Sequence, residues 1–307
     1  MTLYSRRSRL ARRRAVLAFL LTMPLSWAGA PALAGNGHFL HGVGAVNSSL
    51  GGAGVAFAAD GLGSLNLNPA LLTEFEGSRV DFGVEFLTQD LSVSSSIGPF
   101  SGTTEDDTGL ATLPAFSWVW HPKDSRWAFG FGFLALAGFQ TNYPQDSANP
   151  VLAPQPQGFG RTLADYQFAR IPLTLAYRAT DRLSLGASLS LGRAALDSSP
   201  FAGASPDCTS PVSCFYPAAT PQDSAMGFGV QLGLLYEPSE KLALGLSYTS
   251  KHDFESFEWN STVAHPGRPD FGTARSFEFT LDSPQRLTAG LGLRPRPNWT
   301  LALDVTW

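Results

Sequence analysis

Charged residues are scarce in this chain. Asp, Glu, Lys and Arg make up 15% of its 307 residues, whereas soluble domains usually contain roughly 25%. Long hydrophobic runs are also missing, because after residue 26 no stretch of about 20 apolar residues is available to cross a bilayer as a helix. The net charge of −4 disfavours nucleic acid as a partner, since phosphate backbones are bound by basic surfaces. Few charges together with 12% aromatic residues are typical of a wall that is apolar on one face only.

Cysteine is nearly absent, and no catalytic constellation is visible. Cys208 and Cys214 share one loop rich in Pro, Ser and Thr, and in an exported chain we expect them to form a local disulfide. His38 and His41 lie three residues apart, but a polar surface is favoured over a metal site because no Asp, Glu or Cys is close in sequence. No serine has the context of a nucleophile elbow. We therefore predict no metal, no cofactor and no enzymatic activity.

The N-terminus carries the features of an export signal. Arginines cluster in the first 14 residues, an apolar core spans 15–27, and an Ala-Leu-Ala cleavage site follows at 32–34. These features predict a signal peptide over residues 1–34, with a second candidate cleavage site at 28–30. An uncleaved membrane anchor is the alternative, and the shortness of the apolar core disfavours it.

From residue 78 onward, apolar residues alternate with small or polar ones. Segments of about 10 residues suit tilted transmembrane strands, the Gly, Ser and Thr of the opposite face suit a lumen, and aromatics at segment ends such as Trp127 and Trp299 suit an interfacial girdle. The pattern predicts an all-β fold, an antiparallel transmembrane β-barrel over residues 78–307, and disfavours a soluble sandwich. The nine segments are 80–87, 113–120, 127–138, 171–177, 183–192, 226–236, 242–248, 277–293 and 299–307.

Long and short connections alternate along these segments, as in outer-membrane barrels with long external loops and short periplasmic turns. Nine strands would end on the external side and leave an open edge in lipid. We therefore expect the chain to be truncated at its C-terminus. The alternative divides the eighth segment at 282–285 into a hairpin and gives ten strands. One long bent strand is favoured, because the apolar positions on both sides of Pro284 stay in phase.

The stretch 35–77 has neither strand alternation nor a long helical stripe, and it is rich in glycine. Pro69 is suited to open a short helical turn with Asn68 as its cap. We predict that this stretch forms a plug inside the barrel. Its apolar residues either contact a hydrophobic ligand or pack the plug against the wall, and the pattern does not separate these alternatives. They are Phe39, Leu40, Val43, Val55, Phe57, Leu65 and Leu67.

The stretch 35–77 contains three short motifs: Gly-Gly-Ala-Gly at 51–54, Asp60, and Asn-Pro-Ala-Leu at 68–71. Placed between a signal peptide and a barrel pattern, they resemble the N-terminal hatch of the FadL-type outer-membrane transporters of long-chain fatty acids and other hydrophobic compounds. The resemblance runs from about residue 35 to the last residue. It implies a barrel of fourteen strands, about nine of them present here, in the outer membrane of a Gram-negative bacterium.

The resemblance also implies passive uptake of fatty acids or other hydrophobic compounds by a monomer in contact with outer-membrane lipid. The plug would act as a gate, and the ligand would leave sideways through a gap at a bent third strand. On this chain the gate residues would be Asp60, Asn68, Pro69 and Ala70, with Asn68-Pro69-Ala70 near the gap. The lateral opening would involve Gly130, Gly132, Gly138 and Phe139.

The ligand site is the part that the sequence leaves most open. Phe39, Leu40, Phe57, Leu67 and Arg193 are the candidate ligand-binding residues, although Arg193 also fits a girdle arginine at the membrane edge. A basic residue expected a few positions after Arg193, to meet a carboxylate, is replaced by a serine at position 198. The substrate is therefore either a fatty acid or a hydrocarbon. A plugged structural or adhesin-like barrel without transport is the alternative function.

Overall fold

A computed structural model of the chain describes residues 38–296 and 298–307. The predicted signal peptide and positions 35–37 of the predicted plug lie outside the described residues. Two short α-helices come first, α1 (Gly44–Ser49) and α2 (Gly61–Leu67), followed by a 3-10 helix (Pro69–Glu74); another 3-10 helix is Pro150–Leu152. The strands are β1 (Gly77–Leu87), β2 (Ser92–Ile97), β3 (Phe100–Glu105), β4 (Ala111–His121), β5 (Trp127–Tyr143), β6 (Thr162–Thr180), β7 (Leu183–Ser199), β8 (Asp207–Ser210), β9 (Ser213–Phe215), β10 (Ala219–Ser239), β11 (Leu242–Thr249), β12 (Asp253–Phe254), β13 (Phe257–Thr262), β14 (Ala274–Phe279), β15 (Arg286–Arg296) and β16 (Trp299–Thr306).

Nine strands follow one another in one curled antiparallel sheet, hereafter the wall, in the order β1-β4-β5-β6-β7-β10-β11-β15-β16, and the short strand β12 pairs with β10 off this path. Each of these nine strands overlaps one predicted segment, so the predicted antiparallel β-barrel architecture is confirmed. The apolar positions of the alternation point outward, and Phe82 (72%), Leu189 (54%) and Val305 (63%) stay largely exposed. Their sequence neighbours face inward. An outer face of this kind is suited to hydrocarbon rather than water.

The eighth segment differs from the prediction of one long bent strand. It is divided into β14 and β15, and β14 pairs with β13 in a separate two-stranded sheet. Pro284 has no N–H to donate to a ladder, and Ser283 forms an isolated bridge with His252. The Asp282 carboxylate accepts from the main-chain N–H of Phe254 at 3.0 Å. The prediction of one continuous strand was therefore wrong, and the alternative hairpin is not formed either, because the partner of β14 is β13.

The long connections contain three hairpins, β2–β3, β8–β9 and β13–β14. Cys208 and Cys214 form a disulfide across β8 and β9. The buried carboxylate of Asp207 accepts from the guanidinium of Arg275 at 2.8 Å and from the N–H of Ala264 at 2.7 Å. These contacts join the β8–β9 hairpin to the loop that carries β13 and β14.

The N-terminal segment (residues 38–76) packs against the inner face of the wall. Leu65, Leu71 and Leu72 are fully buried. The predicted turn at Pro69 is confirmed as a 3-10 helix in which the side chain of Asn68 accepts from the N–H of Ala70 at 3.0 Å. The sequence did not reveal α1 and α2, because helices of six or seven residues are too short to show an apolar period. None of the described helices is long and apolar enough to cross a membrane.

Glycines of the wall make room for the main chain of this segment. A Cβ on Gly186 of β7 would lie 2.4 Å from the nitrogen of Ala70, and a Cβ on Gly245 of β11 would lie 2.2 Å from the carbonyl oxygen of Val55. Real Cβ atoms do not approach so closely. The small residues of the alternation therefore line the barrel interior and also form the surface against which the N-terminal segment packs.

Candidate functional site

The pairing between β4 and β5 is incomplete. β4 pairs with β1 along its whole length, but it pairs with β5 only between Ala115–Leu134 and Trp120–Phe129. Beyond Leu134, β5 continues to pair with β6, with an irregularity between Ala135 and Ala137. On the side away from β1, the first residues of β4, 111–114, therefore face a gap in the wall rather than β5.

A cavity of about 550 Å³ occupies this gap. Leu113 and Pro114 of β4 line it, together with Phe133 and Phe139 of β5 and the loop residues 108–110. Pockets of roughly 300–1,000 Å³ with mainly apolar walls are typical of small-molecule sites. Its polar lining includes Gln89, Gln140, Asp165, Gln167 and Arg193.

Residues 38–40 pair with β5 beside this gap. The N–H of Leu40 donates to the carbonyl of Leu136 at 2.9 Å, and the N–H of Gly138 donates to the carbonyl of His38 at 3.0 Å. Phe39 forms a β-bridge with Ala137. Leu40 itself lines the cavity. Main-chain groups of β5 that β4 has left unpaired are thus satisfied by the start of the N-terminal segment.

The predicted opening residues separate into two pairs. Gly138 and Phe139 line the cavity. Gly130 and Gly132 lie in the part of β5 that still pairs with β4, and a Cβ on either would meet the side chain of Leu65 within 3.2 Å. Both glycines thus leave room for the side chain of Leu65 in α2, and their part in a lateral opening stays a prediction.

Asn68 is fully buried and uses both ends of its amide. Its side-chain nitrogen donates to the carbonyls of Val55 at 2.7 Å and Leu234 at 3.0 Å, while its oxygen accepts from Ala70. A Cβ on Gly233 of β10 would lie 2.0 Å from that oxygen. The Asn-Pro-Ala motif therefore sits against β7 and β10, where glycines permit close approach. The motif is not part of the cavity lining, and its expected role near the gap stays a prediction.

Carboxylates of the wall hold main-chain N–H groups of the N-terminal segment. Asp60, another predicted gate residue, is not one of them: it caps α2 by accepting from the N–H of Gly63 at 2.7 Å. The wall contacts are Glu85 with Gly44 (2.7 Å), Asp81 with Gly61 (2.9 Å), and Asp304 with Gly54 and Val55 (2.7 and 2.9 Å).

Amide and guanidinium groups of the wall hold the carbonyls of the same segment. The side-chain nitrogen of Gln231 donates to the carbonyls of Asn66 at 2.9 Å and Leu67 at 3.1 Å. Arg178 donates to the carbonyl of Thr73 and pairs with Glu74 at 3.1 Å. The carbonyls at the end of α2, which have no partner within a helix, are thus capped by the wall.

Three basic side chains meet in the barrel interior; we call Arg170, His252 and Arg286 the basic cluster. Arg170 has no exposed surface, and its Nη2 donates to the carbonyl of Asn66 at 3.2 Å and to its side-chain oxygen at 3.1 Å. Its Nε and Nη1 have no partner among the described residues. The guanidinium carbon of Arg286 lies 4.9 Å from the ring centre of Phe39.

His252 completes the basic cluster. Its ring lies over Gly229, where a Cβ would come within 2.6 Å, and neither ring nitrogen has a partner among the described residues. Burial and the neighbouring charges of Arg170 and Arg286 lower the pKa of His252 to about 4, so the imidazole is neutral at pH 7. Sequence reasoning missed all three residues; the signal was Arg170, a charged residue directly before the apolar alternation that begins at Ile171.

The remaining candidate ligand residues are spread over the interior. The ring of Phe39 meets that of Phe168 at 6.1 Å. Phe57 lies under the guanidinium of Arg294, with 5.6 Å between the guanidinium carbon and the ring centre, and is not part of the cavity lining. Leu67 packs near Gly54. Arg193 is an exposed residue of β7 at the rim of the cavity.

Comparison with known proteins gives matches along most of the chain. The family model described as "Outer membrane protein transport protein (OMPP1/FadL/TodX)" matches residues 30–307. The chain is similar to the long-chain fatty acid transport protein of Escherichia coli O6:H1, at 24% identity over 85% of this chain. It spans 63% of the length of that protein.

Two crystal structures share the fold. The toluene transporter TbuX of Ralstonia pickettii has a TM-score of 0.69 at 21% identity, covering 87% of this chain and 72% of that one. A FadL homologue of Pseudomonas aeruginosa has a TM-score of 0.60 at 16% identity, covering 89% and 69%.

Proposed function

The chain belongs to the outer membrane protein transport protein family (OMPP1/FadL/TodX), and from this premise we propose that it carries hydrophobic compounds passively across the outer membrane, with its N-terminal segment as the gate. It is an outer-membrane β-barrel of a Gram-negative bacterium. One relative is named for long-chain fatty acids and a fold neighbour for toluene. The proposed cargo is accordingly a fatty acid or a hydrocarbon, taken up by a monomer surrounded by outer-membrane lipid.

The observation that carries this proposal is the cavity at the place where β4 leaves β5. A cavity lined mainly by apolar side chains in the wall of a barrel offers a hydrophobic molecule a sideways route into lipid. Such a route avoids the aqueous periplasm. Residues 38–40 pair with β5 beside that cavity. Release of these residues from β5 opens the route, and their return restores the main-chain pairing that a membrane requires.

In this proposal residues 1–34 are an export signal, residues 35–77 are the plug and residues 78–307 are the wall. The gate has a fixed end and a moving end. Asn68, Pro69 and Ala70 anchor the plug to β7 and β10, while Asp60 caps α2. Residues 38–40 are the moving end, because only two main-chain hydrogen bonds tie them to β5.

A reversible lock tests the gate. Phe39 and Ala137 are directly opposite each other, a geometry that suits an engineered disulfide. In cells that produce the Phe39→Cys/Ala137→Cys variant, we expect uptake of radiolabelled dodecanoate or toluene to fall at least tenfold when the bond is oxidised. Uptake should return on addition of a reductant. Each single-cysteine variant serves as the control, because the reductant also reaches the native Cys208–Cys214 bond. Equal uptake by the locked and reduced proteins would rule out gating by residues 38–40.

A further inference from the structure

The cavity beside β5 carries a row of hydrogen-bond acceptors on its polar side. We call the side chains of Gln89, Gln140, Asp165 and Gln167 the acceptor row, and all four line the cavity. The amide nitrogen of Gln140 donates to the carboxylate of Asp165 at 2.8 Å, and that of Gln167 donates to the same carboxylate at 3.2 Å. The amide nitrogen of Gln89 donates to the main-chain carbonyl of Gln140 and to the carboxylate of Asp106 at 3.4 Å.

These partners determine the orientation of the three amides. Carboxylates and carbonyls only accept, so each glutamine must turn its nitrogen toward them, and its oxygen is left for another donor. None of the three oxygens accepts a hydrogen bond from a described residue. Asp165 takes part in no ion pair of the described residues, and Asp197 of β7 lies directly opposite it. The acceptor row therefore favours a ligand that donates a hydrogen bond and disfavours an anion.

Tyr166 supplies a donor in the buried part of the same cavity. Its side chain lines the cavity and the residue is only 6% exposed, yet its hydroxyl has no hydrogen-bond partner among the described residues. Its ring stacks on that of Phe139 with 5.5 Å between the ring centres, and Phe133 and Phe168 line the cavity as well. The cavity thus combines aromatic walls with an unused phenol hydroxyl, which donates as well as accepts.

We propose that the cavity binds apolar compounds with a hydroxyl group, such as alkylphenols, in preference to hydrocarbons and carboxylates of the same shape. A ligand hydroxyl both accepts and donates, so Tyr166 serves as its donor and the acceptor row as its acceptors. A hydrocarbon leaves these groups unpaired, and a carboxylate brings acceptors to a row of acceptors. Arg193 is the only cationic side chain of the lining, and it is exposed at the rim. The proposal rests on the proposed transport function and specifies which cargo the sideways route favours.

The affinities of 4-ethylphenol and ethylbenzene for the purified full chain in neutral detergent test the site. The readout is the ratio of the two affinities, compared between variants in one detergent, so that the partition of each ligand into micelles cancels. We expect Tyr166→Phe and Gln140→Met each to lower the ratio about three- to tenfold, because binding of the phenol weakens and binding of ethylbenzene does not.

Two variants of the same chemistry serve as matched controls. Tyr177→Phe removes a hydroxyl from the other end of β6, and Gln157→Met removes an amide from an external loop; neither residue lines the cavity. Both controls should keep the ratio of the unmodified protein. An unchanged ratio in either Tyr166→Phe or Gln140→Met would overturn the inference.

A third ligand, 4-ethylbenzoate, tests the discrimination against anions. Tighter binding of 4-ethylbenzoate than of 4-ethylphenol would also overturn the inference, and loss of that binding in Arg193→Leu would place the carboxylate at the rim. The Phe39→Cys/Ala137→Cys lock keeps the two proposals separate. If the ratio does not respond to the variants while ethylbenzene uptake still responds to the lock, the hydroxyl preference fails and the proposed function stands. Absence of binding by all three ligands, with uptake that ignores the lock, would overturn both.

Discussion

At the scale of single residues, the contacts that matter most lie between side chains of the wall and main-chain atoms of the N-terminal segment. Asn68 was identifiable from the sequence, because a cap before a proline is a local signal. Glu85, Asp304 and Gln231 were not identifiable, because their partners are distant in sequence and the alternation only marks them as inward. Arg170 and Arg286 became a pair only when the curled sheet brought their strands to the same interior.

Asn68 allows a sharp prediction. Replacement by Ala leaves the carbonyls of Val55 and Leu234 without their donors and removes the cap on Ala70. We expect the free energy of unfolding to fall by about 1–3 kcal/mol, measured by urea denaturation in detergent. Asn68→Asp separates the two effects, since it retains the cap and loses both donors. A stability of Asn68→Ala equal to that of the unmodified protein would show that water replaces these bonds without cost.

Asp60 gives a prediction for pH. Burial raises the pKa of this carboxyl, with a further upward effect from Asp81, against the N–H of Gly63, which favours the charged form. Because the folded protein then holds the proton more tightly than the unfolded chain, stability increases as pH falls through the raised pKa. Asp60→Asn keeps the capping oxygen without the charge. We expect it to reduce the pH dependence of exchange in the α2 amides and to slow their exchange at pH 7.

Asp60→Ala is the control for the cap itself. It removes the oxygen that accepts from Gly63 and should cost about 0.5–2 kcal/mol at any pH. Faster exchange of the α2 amides at pH 7 in Asp60→Asn than in the unmodified protein would contradict the proposed cost of the buried charge.

At the scale of elements, the period of two located all nine wall strands, since each strand has one face toward lipid and one toward the interior. It did not locate the end of the β4–β5 pairing, because that depends on the register of β5 with β6 near Ala135 and Ala137. Glycine content pointed to Gly130 and Gly132, and in the structure both leave room for the side chain of Leu65. The division of the eighth segment was likewise not visible in the sequence, because β14 pairs with β13 in a hairpin outside the wall.

The glycines of the strands predict how closely the N-terminal segment is held. In Gly245→Ala the new Cβ meets the carbonyl oxygen of Val55 at 2.2 Å, whereas in Gly83→Ala the nearest atom is a side-chain carbon of Leu62 at 3.4 Å. We expect Gly245→Ala to cost about 1–3 kcal/mol and to expose the N-terminal segment to protease in the folded barrel. Gly83→Ala is the matched control and should be cut at the original rate. Equal cleavage rates of the two variants would mean that the N-terminal segment moves away from the new Cβ without loss of its packing against the wall.

At the scale of the whole molecule, the sequence predicted a barrel with a plug because the pattern is global, whereas each site depends on local departures from it. The apolar outer face follows from the alternation of apolar and small residues along each strand. The short turns at one end and the hairpins at the other follow from the alternation of short and long connections. The Cys208–Cys214 bond closes the β8–β9 hairpin, and the Asp207–Arg275 pair joins this hairpin to β14. The chemistry of the interior depends on which inward positions carry a polar or charged side chain instead of a small one. Only the folded sheet shows which of these side chains lie next to each other.

The wall binds the N-terminal segment largely through main-chain groups, and this has a consequence for sequence variation and engineering of the segment. The carboxylates of Glu85, Asp81 and Asp304 accept hydrogen bonds from main-chain N–H groups, and the side chain of Gln231 donates to main-chain carbonyls. Every amino acid except proline presents both groups. Substitution is therefore tolerated at those positions of the segment whose side chains do not contact the wall, because the main-chain contacts are retained. Asn68, Gly61 and the buried leucines are the exceptions, because the wall contacts their side chains or leaves no room for a Cβ.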